Sequence, residues 1–118
     1  MTETSKYPAA AILDTWAAHA WDNGIQVESV DDFTEVIVET LNSRYEITVI
    51  DGRAREVLVR GGKFFPEKTA VRLAGCSLRG SFLKLGGIYV GFNLEFNGGG
   101  QTIITSTIQT ITVLSQVA

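Results

Sequence analysis

Three groups of side chains in this 118-residue chain have types and spacings that bear on chemistry. The first is a set of cations interleaved with aromatics: Arg53, Arg55, Arg60, Lys63, Phe64, Phe65 and Arg79, with Ser77 close by. Guanidinium forks clamp phosphates and guanine edges, and aromatic rings stack on bases. Arg53, Arg55, Arg60 and Ser77 would therefore make a nucleotide site, and Lys63, Phe64, Phe65 and Arg79 a single-strand nucleic-acid surface. Adjacent aromatics on a strand point to opposite faces, so one of Phe64 and Phe65 is expected to turn inward. The second group is the reactive pair His19 and Cys76. Neither has a nucleophile or base at a suitable offset, so His19 reads as a solvent-facing helix residue and Cys76 as a small buried hydrophobe. The third is the stripe Ile12, Leu13, Trp16 and Trp21, an apolar face that needs something to cover it.

Other patterns fall short of a site. One His and one Cys exclude metal centres built from several imidazoles or thiolates, and no cofactor or metal is expected. Gly75 to Ser81 has the glycine spacing of a phosphate loop but lacks the Lys before Ser81. Asp31, Asp32 and Glu35 lack the pattern of a calcium loop and read as a solvated turn. No enzyme is therefore expected.

The net charge is −3, but it is segregated. Residues 1–43 hold one base and eight acids, residues 44–84 nine bases and four acids, and the rest only Glu95. The acidic total argues against wholesale nucleic-acid binding, and the acidic N-terminal part is expected to pack over the basic part. No leader-like segment or membrane-length apolar run is present, so a cytoplasmic protein is expected.

One domain follows from the length, and 45% hydrophobic residues are enough to fold it. Residues 1–7 read as frayed. Pro8 opens a helix over about 8–22 that Asn23-Gly24 stops. From residue 25 to 114 the grammar is β. Phe33–Leu41 and Tyr45–Ile50 are strands, and Asp51-Gly52 predicts a primed hairpin turn to Glu56–Arg60. Thr69–Ala74 and Cys76–Leu85 follow, separated by Gly75. Ile88 to Phe96 alternates strictly and reads as one strand. In Gln101–Leu114 the apolar phase switches, which predicts a bulge near Ser106–Gln109. The fold expected is mainly β: one small barrel of about six antiparallel strands with an N-terminal helix that plugs an opening or meets a second copy.

Two resemblances accompany this reading. Gly61-Gly62-Lys63-Phe64-Phe65-Pro66-Glu67, Arg72-Leu73-Ala74-Gly75, Gly80 to Gly86 and Ile88-Tyr89-Val90-Gly91 resemble a family of uncharacterised bacterial small β-barrel proteins, which implies a fold and no activity. Gly75-Cys76-Ser77-Leu78-Arg79-Gly80 is similar to the second signature of PilZ domains, barrels that bind cyclic di-GMP. Ser77 and Gly80 match it. Gly75 stands where that signature has Asp or Asn, and no two arginines have the RxxxR spacing. The resemblance implies a PilZ-like barrel that has lost the ligand and binds a protein. The reading as a whole is a non-enzymatic binding or assembly module, its partner a protein or a second copy met through the helix, with nucleotide sensing or single-strand binding as alternatives.

Overall fold

The computed structural model describes residues 9–114, with side chains from Leu13 onward. The expected frayed segment lies outside the described residues. Helix α1 (Ala9–Ala18) is followed by β1 (Gly24–Gln26), a 3-10 turn at Val27–Ser29, β2 (Glu35–Thr40), β3 (Arg44–Asp51), β4 (Glu56–Gly61) and β5 (Phe65–Leu78). The chain continues through β6 (Ser81–Leu85), β7 (Gly87–Tyr89), β8 (Asn93–Gly98) and β9 (Gln101–Leu114).

The fold is mainly β, as expected. Seven strands form one antiparallel sheet in the order β4-β3-β2-β9-β8-β5-β6, and a further β4–β5 pairing closes six of them into a ring. The alternation of β2 and β3 decides which side chains face inward: Val36, Val38, Tyr45, Ile47 and Val49 are buried while their neighbours are not. Opposite them stand Val57, Val59, Phe65, Leu73, Cys76, Leu94, Phe96 and Ile108. Phe96 lies among these, with its ring centroid 5.3 Å from Phe65 and 6.1 Å from Tyr45.

Two 14-residue strands turn the corners of the ring. β5 pairs with β4 through Arg72 and with β8 from Arg72 onward. β9 pairs with β8 up to Thr107 and with β2 from Ile108. The predicted irregularity in β9 is present, because register shifts leave extra residues around Thr105–Ser106 and at Gln109. Each inserted residue flips the side-chain phase, so Ile103, Ile108 and Ile111 all face the core, whereas Ile104, of the same parity as Ile108, is 42% exposed.

Several boundaries differ from expectation, each for a tertiary reason. The helix ends at Ala18, and Gly24 is not its stop but the first residue of β1. A Cβ on Gly24 would fall on the Ile88 carbonyl, so glycine there serves the close approach of β1 to β7. The Asp51 turn is not a two-residue one. It runs to Arg55 (φ 57°), with Asp51 Oδ1 accepting from the Arg53 and Ala54 amides at 3.1 and 3.3 Å. Gly75 lies inside β5, and the reversal comes instead at Arg79-Gly80, both at positive φ (53° and 88°).

The alternating run Ile88–Phe96 is likewise two strands. Gly91 (φ 96°) breaks it, and the residues between cross an opening of the ring. There the Val90 amide donates to the Asn23 carbonyl and the Gly91 amide to that of Ile108. The β1–β7 ribbon thus closes one opening, with its own Ile88 and Tyr89 and the adjoining Val27 and Phe92 buried.

Candidate functional site

The cations singled out from sequence do not converge. Arg53 and Arg55 sit in the β3–β4 turn, whereas Arg60 is at the far end of β4, where its guanidinium meets Glu46 at 2.5 Å. Among the described residues this is the only ion pair, and it joins two residues of the basic segment. The expected neutralisation by the acidic N-terminal part is not made through ion pairs there. Lys63 and Phe64 occupy the β4–β5 turn, the Lys63 ammonium 5.3 Å from the Phe64 ring. Phe65 is the aromatic that turns inward, and Phe64 is 49% exposed. Arg79 lies at the other end of the 14-residue β5. The Arg55 Nε is buried without a partner, its stem near Gly86 beside the Glu28 carboxylate.

Ser77 is engaged internally. It is fully buried, its hydroxyl bonds to the Glu95 carboxylate, and it accepts the Gly80 amide at 2.9 Å. This explains the serine and glycine of the Gly75–Gly80 segment as a turn-stabilising pair. Cys76, next to it, faces the ring interior with no exposed surface. Burial pushes its thiol up to about 12, against the smaller opposing pull of the Tyr89 backbone and the Lys84 charge, so it stays neutral and unreactive. Above about pH 9 an unfolded chain loses this proton while the folded chain keeps it. Stability therefore falls by about 1.4 kcal/mol per pH unit from about 9 to about 12 through this group. Urea titrations should give a steeper loss over that range for the wild type than for Cys76→Ala.

The helix stripe and the histidine meet in an aromatic cap. Trp21 stacks on Phe92 at 5.0 Å, meets Tyr89 at 5.0 Å and Trp16 at 5.3 Å, and carries the Lys84 ammonium 4.9 Å from its ring. His19 is not solvent-facing. It is half-buried, edge-on to Trp21 and Phe92 at 4.6 Å each, with its Nε2 buried and unpartnered. Because the helix has already ended at Ala18, helical phase no longer governs position 19, and the turn delivers its ring to the cap. Trp16 and Trp21 thus cover the molecule's own core, Leu13 stays 44% exposed, and Ile12 lies outside the described side chains.

Two surface features emerge that sequence reading missed. The first is the edge of the sheet at β6, which has β5 on one side and, among the described residues, no strand on the other. It exposes Leu83 (38%) and Leu85 (55%), and α1 lies against it. The second is an open groove of about 740 Å³ on the outer face. Glu56, Arg72 and Asn97 stand in register across β4, β5 and β8. Beside them Leu58 pairs with Ala70 one row away, and Gly98 and Gly100 form the rim.

Comparison with family profiles, curated proteins and solved structures finds no match. The functional reading rests on the geometry.

A smaller hollow of about 250 Å³ gathers Glu28, Asp31, Asp32 and Asp51 with Arg53. Its carboxylates serve the turns: Asp32 Oδ1 accepts the Gly52 amide at 3.4 Å, and Asp51 caps the residues after it. Among the described residues no helix is long and apolar enough to cross a membrane. The only signal for β6 in the sequence was Leu83-Lys84-Leu85, an alternation that does not say which face is covered. Nothing in sequence marked Glu56, Arg72 and Asn97 as neighbours, because register across three strands is a property of the closed ring.

Proposed function

We propose that the protein is a non-enzymatic assembly module that pairs with a second copy of itself through the β6 edge and the adjoining face of α1. What carries this reading is the pair of exposed leucines, Leu83 and Leu85, on a strand with a β neighbour on one side only, its Leu85 carbonyl accepting from Gln26 Nε2 at 3.0 Å. A sheet edge that is not meant to pair is normally blunted by proline or charge. The first half of β5, which has β4 on one side only, shows this protection in Pro66, Glu67 and Lys68, all exposed. β6 has none of it on its outward leucines. Its one charge, Lys84, is held over Trp21 instead. Antiparallel pairing of β6 with its two-fold mate would extend the sheet across both copies and cover Leu83, Leu85 and Leu13 together.

Among the described residues the nucleophiles and the histidine do not converge, which supports a binding role over catalysis. The Cys76 thiol is neutral, Ser77 is engaged and His19 is sealed in the cap. Sedimentation equilibrium on the full chain should give twice the 12.8 kDa chain mass at high concentration. The double variant Leu83→Lys/Leu85→Lys should give the single-chain mass with an unchanged circular dichroism spectrum. A wild type that stays single at about 0.5 mM, or a variant as dimeric as the wild type, sinks the reading.

A further inference from the structure

We infer that the outer groove over β4, β5 and β8 binds a small zwitterion: an apolar amino acid or dipeptide with free amino and carboxyl groups. Glu56 and Arg72 are direct register partners on one face, and among the described residues neither has an ion-pair or side-chain hydrogen-bond partner. Two opposite charges placed side by side and left unpaired select strongly among ligands. A purely anionic ligand is repelled by Glu56 and a purely cationic one by Arg72. A neutral one leaves both charges partly desolvated with nothing in return. A dipolar ligand satisfies both, its carboxylate taking the Arg72 fork and its ammonium the Glu56 oxygens. The two side chains lose little by turning to it, since an exposed opposite-charge pair across two strands is worth only about 0.2–1 kcal/mol.

The rest of the groove fits the same ligand. Leu58 and Ala70, register partners on the same face, offer an apolar floor beside the charged row. Asn97 takes a hydrogen bond from Thr102 through its Oδ1, at 3.1 Å, which leaves its amide N–H groups to donate to a carboxylate. The rim is bare of side chains. Gly98 must be glycine for the turn to lie on Val71, because a Cβ there would come within 2.7 Å of Val71 Cγ1. Gly99 and Gly100, at φ 58° and 79°, meet nothing within 4 Å of where a Cβ would stand. A volume of about 740 Å³ leaves room for one or two residues of ligand.

The test is a titration of the full-length protein, isotopically labelled, with leucine and leucyl-leucine, followed by amide chemical shifts. Saturable shifts confined to Glu56, Leu58, Ala70, Arg72 and Asn97 to Gly100 are expected, with midpoints below about 10 mM. N-acetyl-leucine amide, which carries neither charge, should shift nothing. Arg72→Gln and Glu56→Gln should each weaken binding about tenfold or more while thermal unfolding stays within a few degrees of wild type, since both side chains are exposed. No shift at about 10 mM, equal binding of the capped compound, or an Arg72→Gln variant that binds like wild type would each overturn the assignment. The readout does not depend on the β6 edge, so Leu83→Lys/Leu85→Lys should bind leucine unchanged.

Discussion

Phe96→Ala lowers the unfolding free energy by about 3–5 kcal/mol and the melting temperature by about 10–25 °C. Phe96 has no exposed surface and packs edge-on against Phe65 and beside Tyr45, so its removal opens a void that strands from both sides of the ring must line. The strands are hydrogen-bonded all the way round and cannot close on the gap, which puts the loss at the costly end for an aromatic deletion. Small domains are stable by about 5–15 kcal/mol, so the variant retains only part of its margin. Phe64→Ala is the control. Phe64 is half-exposed at a turn, and its loss is worth about 0.5 kcal/mol or less. Thermal melts of the two variants side by side check the contrast, and equal losses would mean that the ring interior is packed otherwise.

Gly75→Ala is expected to be nearly as damaging, by a different route. Gly75 has φ 145°, and a Cβ there would fall on the Lys84 carbonyl oxygen, with the Gly86 amide nitrogen only 2.9 Å away. Both obstacles are main chain, so no side chain can swing aside. Either β6 leaves β5 or the strained backbone reshapes, at about 3 kcal/mol or more. The damage falls first on β6, so hydrogen exchange at Leu83 to Leu85 should quicken more than at Val36 to Val38, and pairing of two copies should be lost with it. Gly91→Ala separates strain from collision. Gly91 has φ 96° with nothing within 4 Å of where its Cβ would stand, so only backbone strain of about 1–2 kcal/mol applies. If Gly75→Ala costs no more than Gly91→Ala, the close approach of β6 to β5 is not as described.

Gly75 also shows why sequence reading went astray in this region. Glycine punctuates strands, so on sequence alone it predicts a boundary between two of them. Here it marks the place where one strand passes beneath another main chain. Gly24 and Gly91 repeat the lesson: the first opens a strand where a helix stop was expected, and the second interrupts the most regular alternation in the chain. Period two reports that alternate residues are covered. It does not report whether one sheet or two covers them, and Ile88 and Phe96 are covered by different parts of the ring.

The candidate sites follow the same division. Cations recognised by residue type, such as Arg55, Arg60 and Arg79, are scattered over two turns and a strand end. Glu56, Arg72 and Asn97, unremarkable along the chain, are brought into one row.

What the residues determine by themselves is the class of structure and the direction of each strand's faces. Alternating Val and Ile in β2 and β3, the Trp-bearing N-terminal segment and the switched phase of β9 are local or pairwise signals, and short-range sterics and burial act on them directly. What only the closed ring decides is which strands adjoin, which edge is left open and which charges stand opposite one another. Ring closure depends on the summed twist, bulges and register of six strands, and no single stretch of the chain carries that sum.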